Sequence, residues 1–259
     1  MEQTPPKETS GSQPRIAGSI KFLITGGEAQ FLEIYIRPGQ KCIGELANIT
    51  YMPHNINPMM QTKHLNSANR TFFETNNLQL CVFENITEKE QKVGFSTPFR
   101  GRVVPIDLEK AGMLFFSSKY FLCSHTTTRI LPIASKDMIG EMLSSNDEGK
   151  MMKMTGSAFA FFHAVGHCKM ISLKPEETFM IPEGSIIATQ SSITHKIVTV
   201  ANTRKMSSLT GPGTVWINAT PHEVYLDATS NATIKKVGGH FGLKKSKSKF
   251  GLLGALKKK

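Results

Sequence analysis

The stretch Leu173-Lys-Pro-Glu-Glu-Thr-Phe179-Met-Ile181-Pro-Glu-Gly184-Ser-Ile186-Ile187-Ala188 reads as a strand, a turn and a second strand. Alternating apolar residues make a half-buried strand. Pro175 presets φ for the turn, and Gly184 marks a bend before the next apolar run. The same order occurs twice upstream. The first copy is Ile34-Tyr-Ile36-Arg-Pro38-Gly39-Gln-Lys-Cys42-Ile43-Gly44-Glu-Leu46-Ala47. The middle copy is Val104-Pro-Ile106-Asp-Leu108-Glu-Lys110-Ala-Gly112-Met-Leu114-Phe115-Phe116-Ser-Ser-Lys119-Tyr-Phe121. From Pro38 to Lys110 is 72 positions and from Lys110 to Pro175 is 65. A unit of about 70 residues is too long for a solenoid repeat and fits a small β subdomain used three times.

Each copy is expected to end in a further strand. These end strands are Leu78-Gln-Leu80-Cys-Val82-Phe83, Ser157-Ala-Phe159-Ala-Phe161-Phe162 and Thr214-Val-Trp216-Ile217. The last two follow turns containing Gly156 and Gly211-Pro212-Gly213. Trp216, in a run of β formers, is expected to be buried. The chain is therefore read as all-β, with one triplicated domain over 19–234 and units at about 19–100, 101–165 and 166–234. Residues 1–18 read as a disordered polar leader and 235–259 as a basic tail. The single helix expected runs from Ser135 to Leu143, with Ser135 as its N-cap.

At 259 residues and 39% apolar composition the chain buries a substantial core. No run approaches the roughly 18 apolar residues of a membrane span. The leader holds Glu2 and Glu8 against Lys7 and Arg15, unlike an Arg-rich, acid-poor transit peptide. That leaves internal targeting, a removed presequence or a cytosolic location. Cys42, Cys81, Cys123 and Cys168 show no zinc spacing, and three of them sit in strand patterns as small buried residues. The sequons at Asn48, Asn69, Asn85, Asn218 and Asn231 are read as ordinary Asn and Thr usage in a β protein, because no signal peptide precedes them.

Catalytic signatures are missing. There is no Gly-x-Ser-x-Gly elbow, no phosphate-binding glycine loop and no His-Glu-x-x-His. His163 and His167 are the nearest approach to a metal pair, with no carboxylate close by in sequence. The paired histidines one residue apart of the cupin enzymes do not occur either. No cofactor and no metal are expected.

Charge is concentrated at one end. The net charge is +11, and Lys235, Lys236, Lys244, Lys245, Lys247, Lys249, Lys257, Lys258 and Lys259 supply nine of those charges with no acid among them, leaving +2 for the rest. Phe241, Leu243, Phe250, Leu252, Leu253 and Leu256 are interleaved. Such an arm suits a polyanion such as ribosomal RNA, an anionic lipid surface, or a solvated face. It has no Arg, which argues against base-specific reading.

The third unit also carries a resemblance. Leu173-Lys-Pro-Glu-Glu-Thr-Phe179, Gly184-Ser-Ile-Ile-Ala188 and Leu209-Thr-Gly-Pro-Gly-Thr-Val-Trp216-Ile-Asn-Ala-Thr220 resemble the end of the family named for altered inheritance of mitochondria, with its bacterial relatives. The resemblance covers roughly residues 20–220. In relatives a Gly-Gly-x-x-Gly-Ala-Leu-Lys insertion lies within the repeats, whereas the similar string here, Gly251-Leu-Leu-Gly254-Ala-Leu-Lys257, lies beyond the last one. The resemblance implies a fold like that of the tryptophan RNA-binding attenuator protein, a β-sandwich of the double-stranded β-helix class with pseudo-threefold repetition. It also implies a mitochondrial setting and no established catalytic residues.

The functional expectation is a non-enzymatic β scaffold of a mitochondrial assembly, in the matrix or at the inner-membrane surface, with a cytoplasmic location as the alternative. Strand edges and the nine tail lysines would dock it to protein subunits and to a ribonucleoprotein or an anionic lipid surface. The competing class is a small-molecule-binding or metal-dependent cupin-like protein.

Overall fold

The computed structural model describes residues 13–17, 20–61, 79–97, 99–133, 151–182, 184–201 and 204–220. Two short strands lead in, β1 (Arg15–Ala17) and β2 (Ile20–Thr25). Six strands follow in each of three units. The first unit holds β3 (Phe31–Ile36), β4 (Lys41–Glu45), β5 (Ile49–Tyr51), β6 (Asn57–Met60), β7 (Leu80–Glu84) and β8 (Gln91–Ser96). The second holds β9 (Gly101–Asp107), β10 (Leu114–Ser117), β11 (Phe121–His125), β12 (Arg129–Pro132), β13 (Met151–Thr155) and β14 (Phe159–Val165). The third holds β15 (Cys168–Leu173), β16 (Thr178–Pro182), β17 (Ile186–Gln190), β18 (Thr194–Val200), β19 (Arg204–Thr210) and β20 (Gly213–Asn218).

The connectivity is the same in all three. The first strand pairs with the sixth: β3 with β8, β9 with β14 and β15 with β20. The second pairs with the fifth: β4 with β7, β10 with β13 and β16 with β19. The third also pairs with the sixth, and the fourth with the fifth. Every one of these pairings is antiparallel. This nested order folds each unit back on itself as a small β-sandwich, the architecture the repeat pattern predicts.

Two joints link the units. The second strand of each of the first two units pairs with the third strand of the next, β4 with β11 and β10 with β17. Two six-stranded sheets result, each shared by neighbouring units, with a five-stranded and a three-stranded sheet at the two ends. Side chains reinforce both joints. Asn48 Nδ2 donates to the Phe121 carbonyl at 3.0 Å, and the Tyr120 hydroxyl donates to the Gly184 carbonyl at 2.7 Å.

One apolar cluster runs through units one and two, with Phe22, Leu32, Ile34, Phe83, Phe95, Leu122 and Phe161. Phe22 meets Phe161 edge-on at 4.8 Å, and Phe116 meets Phe162 at 5.4 Å, geometries that add to area burial. Unit three has its own cluster of Leu173, Ile181, Ile186, Ile193, Leu209 and Val215. Trp216 is buried as expected.

Two readings of the sequence need revision. The Leu80–Glu84 segment is the fifth strand of unit one, and its sixth strand is β8. The order Gln91-Lys92-Val93-Gly94 begins with polar residues and carries a glycine, so its strand character is set by pairing rather than composition. A one-turn helix, Leu108–Ala111, was not foreseen; Asp107 caps it by accepting from the Glu109 N–H at 3.1 Å. The expected helix at Ser135–Leu143 lies outside the described residues, as do residues 1–12 and the tail.

The turn between the first two strands of each unit needs one residue in the left-handed region. Gly39 (φ 72°) and Gly112 (φ 71°) serve in units one and two, and Glu176 (φ 64°) stands at the matching turn of unit three. A side chain there is disfavoured by about 1 kcal/mol. Glu176→Gly is therefore expected to raise the denaturant midpoint at constant slope, by up to about 1 kcal/mol in stability. The turn of unit one is held from the other side by Asn85, which is fully buried. Its Nδ2 donates to the carbonyls of Ile36 (2.7 Å) and Lys89 (2.8 Å), and its Oδ1 accepts from the Thr87 N–H and hydroxyl at 2.9 and 2.7 Å. Asn85→Ala removes the side-chain donor to the buried Ile36 carbonyl and the acceptor that holds Thr87, and is expected to cost about 2–3 kcal/mol in urea unfolding.

Candidate functional site

The repeated joint leaves two strands without the partner that their counterparts have. In unit one the third strand, β5, ends its sheet; in unit three the second strand, β16, ends its own. Among the described residues neither outer edge is paired. Both present apolar side chains: Tyr51 and Met52 at β5, Phe179 and Met180 on β16. An unpaired edge of this kind is a template for adding a strand.

β5 is held in place by a polar cluster. The Tyr51 hydroxyl donates to Glu33 Oε1, and the Tyr35 hydroxyl donates to Glu33 Oε2 at 3.1 Å. Lys92 lies 3.4 Å from the same carboxylate, and Lys21 and Lys92 sit over the Tyr35 ring at 4.7 and 4.9 Å. Burial alone would raise the Glu33 carboxyl, but the hydrogen bonds from Tyr51 and Tyr35 and the Lys92 charge outweigh it and hold it below its ordinary value. Burial, then the bond to Glu33, pushes the Tyr51 phenol up. The Tyr51 ring fills the space over Gly94, where an added Cβ would lie 2.3 Å from a ring carbon.

A second feature is an open groove of about 430 Å³ lined by Arg102, Val104, His167, Cys168, Met170 and Trp216. It lies along β9 and β15. The histidine pair is split. His163 is buried with Nε2 donating to the Lys119 carbonyl at 2.7 Å, while His167 lines the groove. No group of three or more His, Cys, Asp or Glu side chains among the described residues is arranged to hold a metal ion. Burial pushes the Cys42 thiol up to about 12 and the Cys168 thiol up to about 11, and it raises Cys81 and Cys123 as well. Thiols so raised are poor nucleophiles. Three sequon asparagines have structural roles: Asn48 and Asn85 as above, and Asn218, whose Oδ1 accepts from the Val165 N–H at 2.9 Å.

The nine tail lysines at 235, 236, 244, 245, 247, 249, 257, 258 and 259 all lie outside the described residues. The edge residues Tyr51, Met52, Phe179 and Met180 were not singled out by the sequence reading. The signal was there in principle: a joint that repeats between neighbours leaves one half of itself unused at each end of the series.

The sheet that bears β16 also holds His195, buried in β18 with both ring nitrogens lacking a partner among the described residues. Burial lowers its pKa to about 4 from an ordinary 6.5. A depressed histidine leaves the folded state with fewer bound protons than the unfolded chain between those values. Its neutral form thus costs nothing above pH 6.5, and stability falls as the pH drops from 6.5 towards 4, by about 3 kcal/mol in all. His195→Leu is expected to flatten that slope when urea unfolding is compared at pH 7 and pH 5.

Residues 22–220 match the family described as mitochondrial biogenesis AIM24. A structural-genomics crystal structure of a protein from Streptococcus pyogenes is similar with a TM-score of 0.63 and 14% identity, covering 84% of this chain and 99% of that one. At that identity the likeness speaks for the fold alone. Among curated proteins nothing matches.

Proposed function

The chain belongs to the mitochondrial biogenesis AIM24 family, and from that membership we propose that it is a non-enzymatic β scaffold of a mitochondrial assembly, in the matrix or at the inner-membrane surface. The observation that carries the reading is the pair of terminal edges, β5 and β16, left open by a joint closed twice inside the chain. Edges with exposed apolar residues are docking surfaces rather than reaction centres. The buried polar groups support the same reading, since Asn85, Tyr120 and His163 are occupied with backbone carbonyls. The family setting favours the mitochondrion over the cytoplasm. The nested strand order is compatible with the attenuator-protein likeness, but shared architecture transfers no ligand.

The tail supplies a second contact of different chemistry. Nine lysines without an acid make a strong local potential, and lysine contacts to phosphate are sequence-independent and steeply salt-dependent. A ribonucleoprotein is the favoured polyanion, with an anionic lipid surface as the competing one. Truncation after Ala232 tests this. The shortened protein is expected to keep the wild-type unfolding midpoint and to lose co-sedimentation with mitochondrial ribosomes at low salt. If the full chain instead co-sediments only with anionic vesicles, the polyanion is lipid. If truncation changes neither, the tail does no docking.

A further inference from the structure

We infer that the occupant of the β5 and β16 edges is a second copy of this chain, joined head to tail, with β16 of one molecule pairing antiparallel to β5 of the next. This rests on the reading of the chain as a scaffold that docks through strand edges, and it names what fills them.

The two internal joints are identical in register. At the first, Gly44, Ile43 and Cys42 face Cys123, Ser124 and His125. At the second, Phe116, Phe115 and Leu114 face Ala188, Thr189 and Gln190. The third strand of every unit carries the same irregularity against its sixth strand, at Phe121/Cys123, at Ile186/Ala188 and at Ile49/Tyr51. In both joints the facing residue is the one that follows the irregularity, and its partner lies five positions before the irregularity of its own unit. Applied to the ends of the series, this rule sets Ile181 opposite Tyr51 and Met180 opposite Met52, with Phe179 reaching Pro53, which has no N–H to pair and ends the ladder.

Exposure follows the same logic. Phe179 and Met180 are 43% and 58% exposed, whereas Leu114 and Phe115, their counterparts at the second joint, are 0% and 5% exposed. Ile43, the counterpart at the first joint, is also buried, and Cys123 and Ala188, the counterparts of Tyr51, are buried too. A third joint of the same kind would bury what is now bare. Neither edge carries a lysine or an inward charge, Thr178-Phe-Met-Ile-Pro182 on one side and Ile49-Thr-Tyr-Met52 on the other; Pro182 and Pro53 limit the ladder to the few residues between them. The two halves are different surfaces, so the contact is heterologous and propagates head to tail to a ring or a filament.

The full-length chain is the material for the test. Wild type is expected at a multiple of its 28.6 kDa mass in light scattering. Met180→Glu places a charge in the joint and is expected to weaken self-association by more than about tenfold. The site is exposed in the single chain, so the circular dichroism and unfolding midpoint of the dissociated variant should match those of wild type diluted to the same state. Register is read by cross-linking. Facing Cα atoms of antiparallel strands lie about 4.5–5.5 Å apart, inside the range a disulfide spans. Mixed copies, one carrying Met180→Cys and the other Met52→Cys, are expected to form a disulfide-linked dimer on mild oxidation. Either variant alone, or Met180→Cys mixed with Glu88→Cys, should not. The native thiols are buried or raised by burial, which keeps the background low.

A wild-type chain that stays monomeric at high micromolar concentration overturns the inference, as does an oligomer that survives Met180→Glu and gives no mixed disulfide. If the monomer still captures mitochondrial proteins through the Met180 edge, the scaffold reading stands and only the second-copy assignment falls. If the head-to-tail oligomer forms but recruits nothing, the assignment stands and the scaffold reading falls.

Discussion

The joint between units is the constraint on which the rest of this structure depends. Each small β-sandwich has an open flank, and in units one and two it is closed by lending the second strand to the third strand of the next unit. That exchange fixes register, because a slip of one residue would turn every side chain to the opposite face. The two joints reach the same geometry with different residues. At the first, Gly44 leaves room for the Phe95 ring and for Cys123; at the second, Phe116 lies opposite Ala188. The first joint gives its space to a ring from β8 of the same unit and the second to Phe116 itself, so the two fill a similar space with side chains from different strands.

Buried and half-buried polar side chains serve this backbone order. Asn48 and Tyr120 cross from one unit to the next, Asn218 reaches back to Val165, and Asn85 clamps two turns together. Each such bond adds only about 1 kcal/mol net, but a carbonyl orphaned in the interior costs about 1–3 kcal/mol. Their value lies in making alternative registers expensive. His195 differs from these four, being buried with neither ring nitrogen partnered among the described residues. Its burial adds an acid sensitivity to the sheet that ends in β16.

Much of the fold was legible because turn chemistry is local. Pro38-Gly39, Ala111-Gly112 and Pro175-Glu176 announce the same turn at three places, and the apolar runs beside them are strands in the structure. β8 was not legible: its Gln91-Lys92 start and Gly94 look like a loop, and its strand state comes from pairing with β3 on one side and β5 on the other. The candidate site was less legible still. Nothing local in Phe179-Met180 distinguishes an edge strand from an interior one, since Leu114-Phe115 is equally apolar and fully covered. Only the count of joints, one fewer than the number of units, separates them.

On the proposed reading the chain would dock through two surfaces that differ in physical character. An added strand is held by backbone hydrogen bonds and apolar contact, which salt leaves intact or strengthens. The nine lysines would act through a potential that salt screens, with a Debye length of about 8 Å at physiological ionic strength. The repeated domain contributes little to that potential, since everything before residue 235 carries a net charge of only +2. Separation along the sequence lets one surface change without the other: substitutions on β16 leave the tail's charge untouched, and the strands of both joints all lie before residue 191. A chain built this way can connect an assembly made by strand pairing to a polyanionic surface, with ionic strength acting on only one of the two contacts.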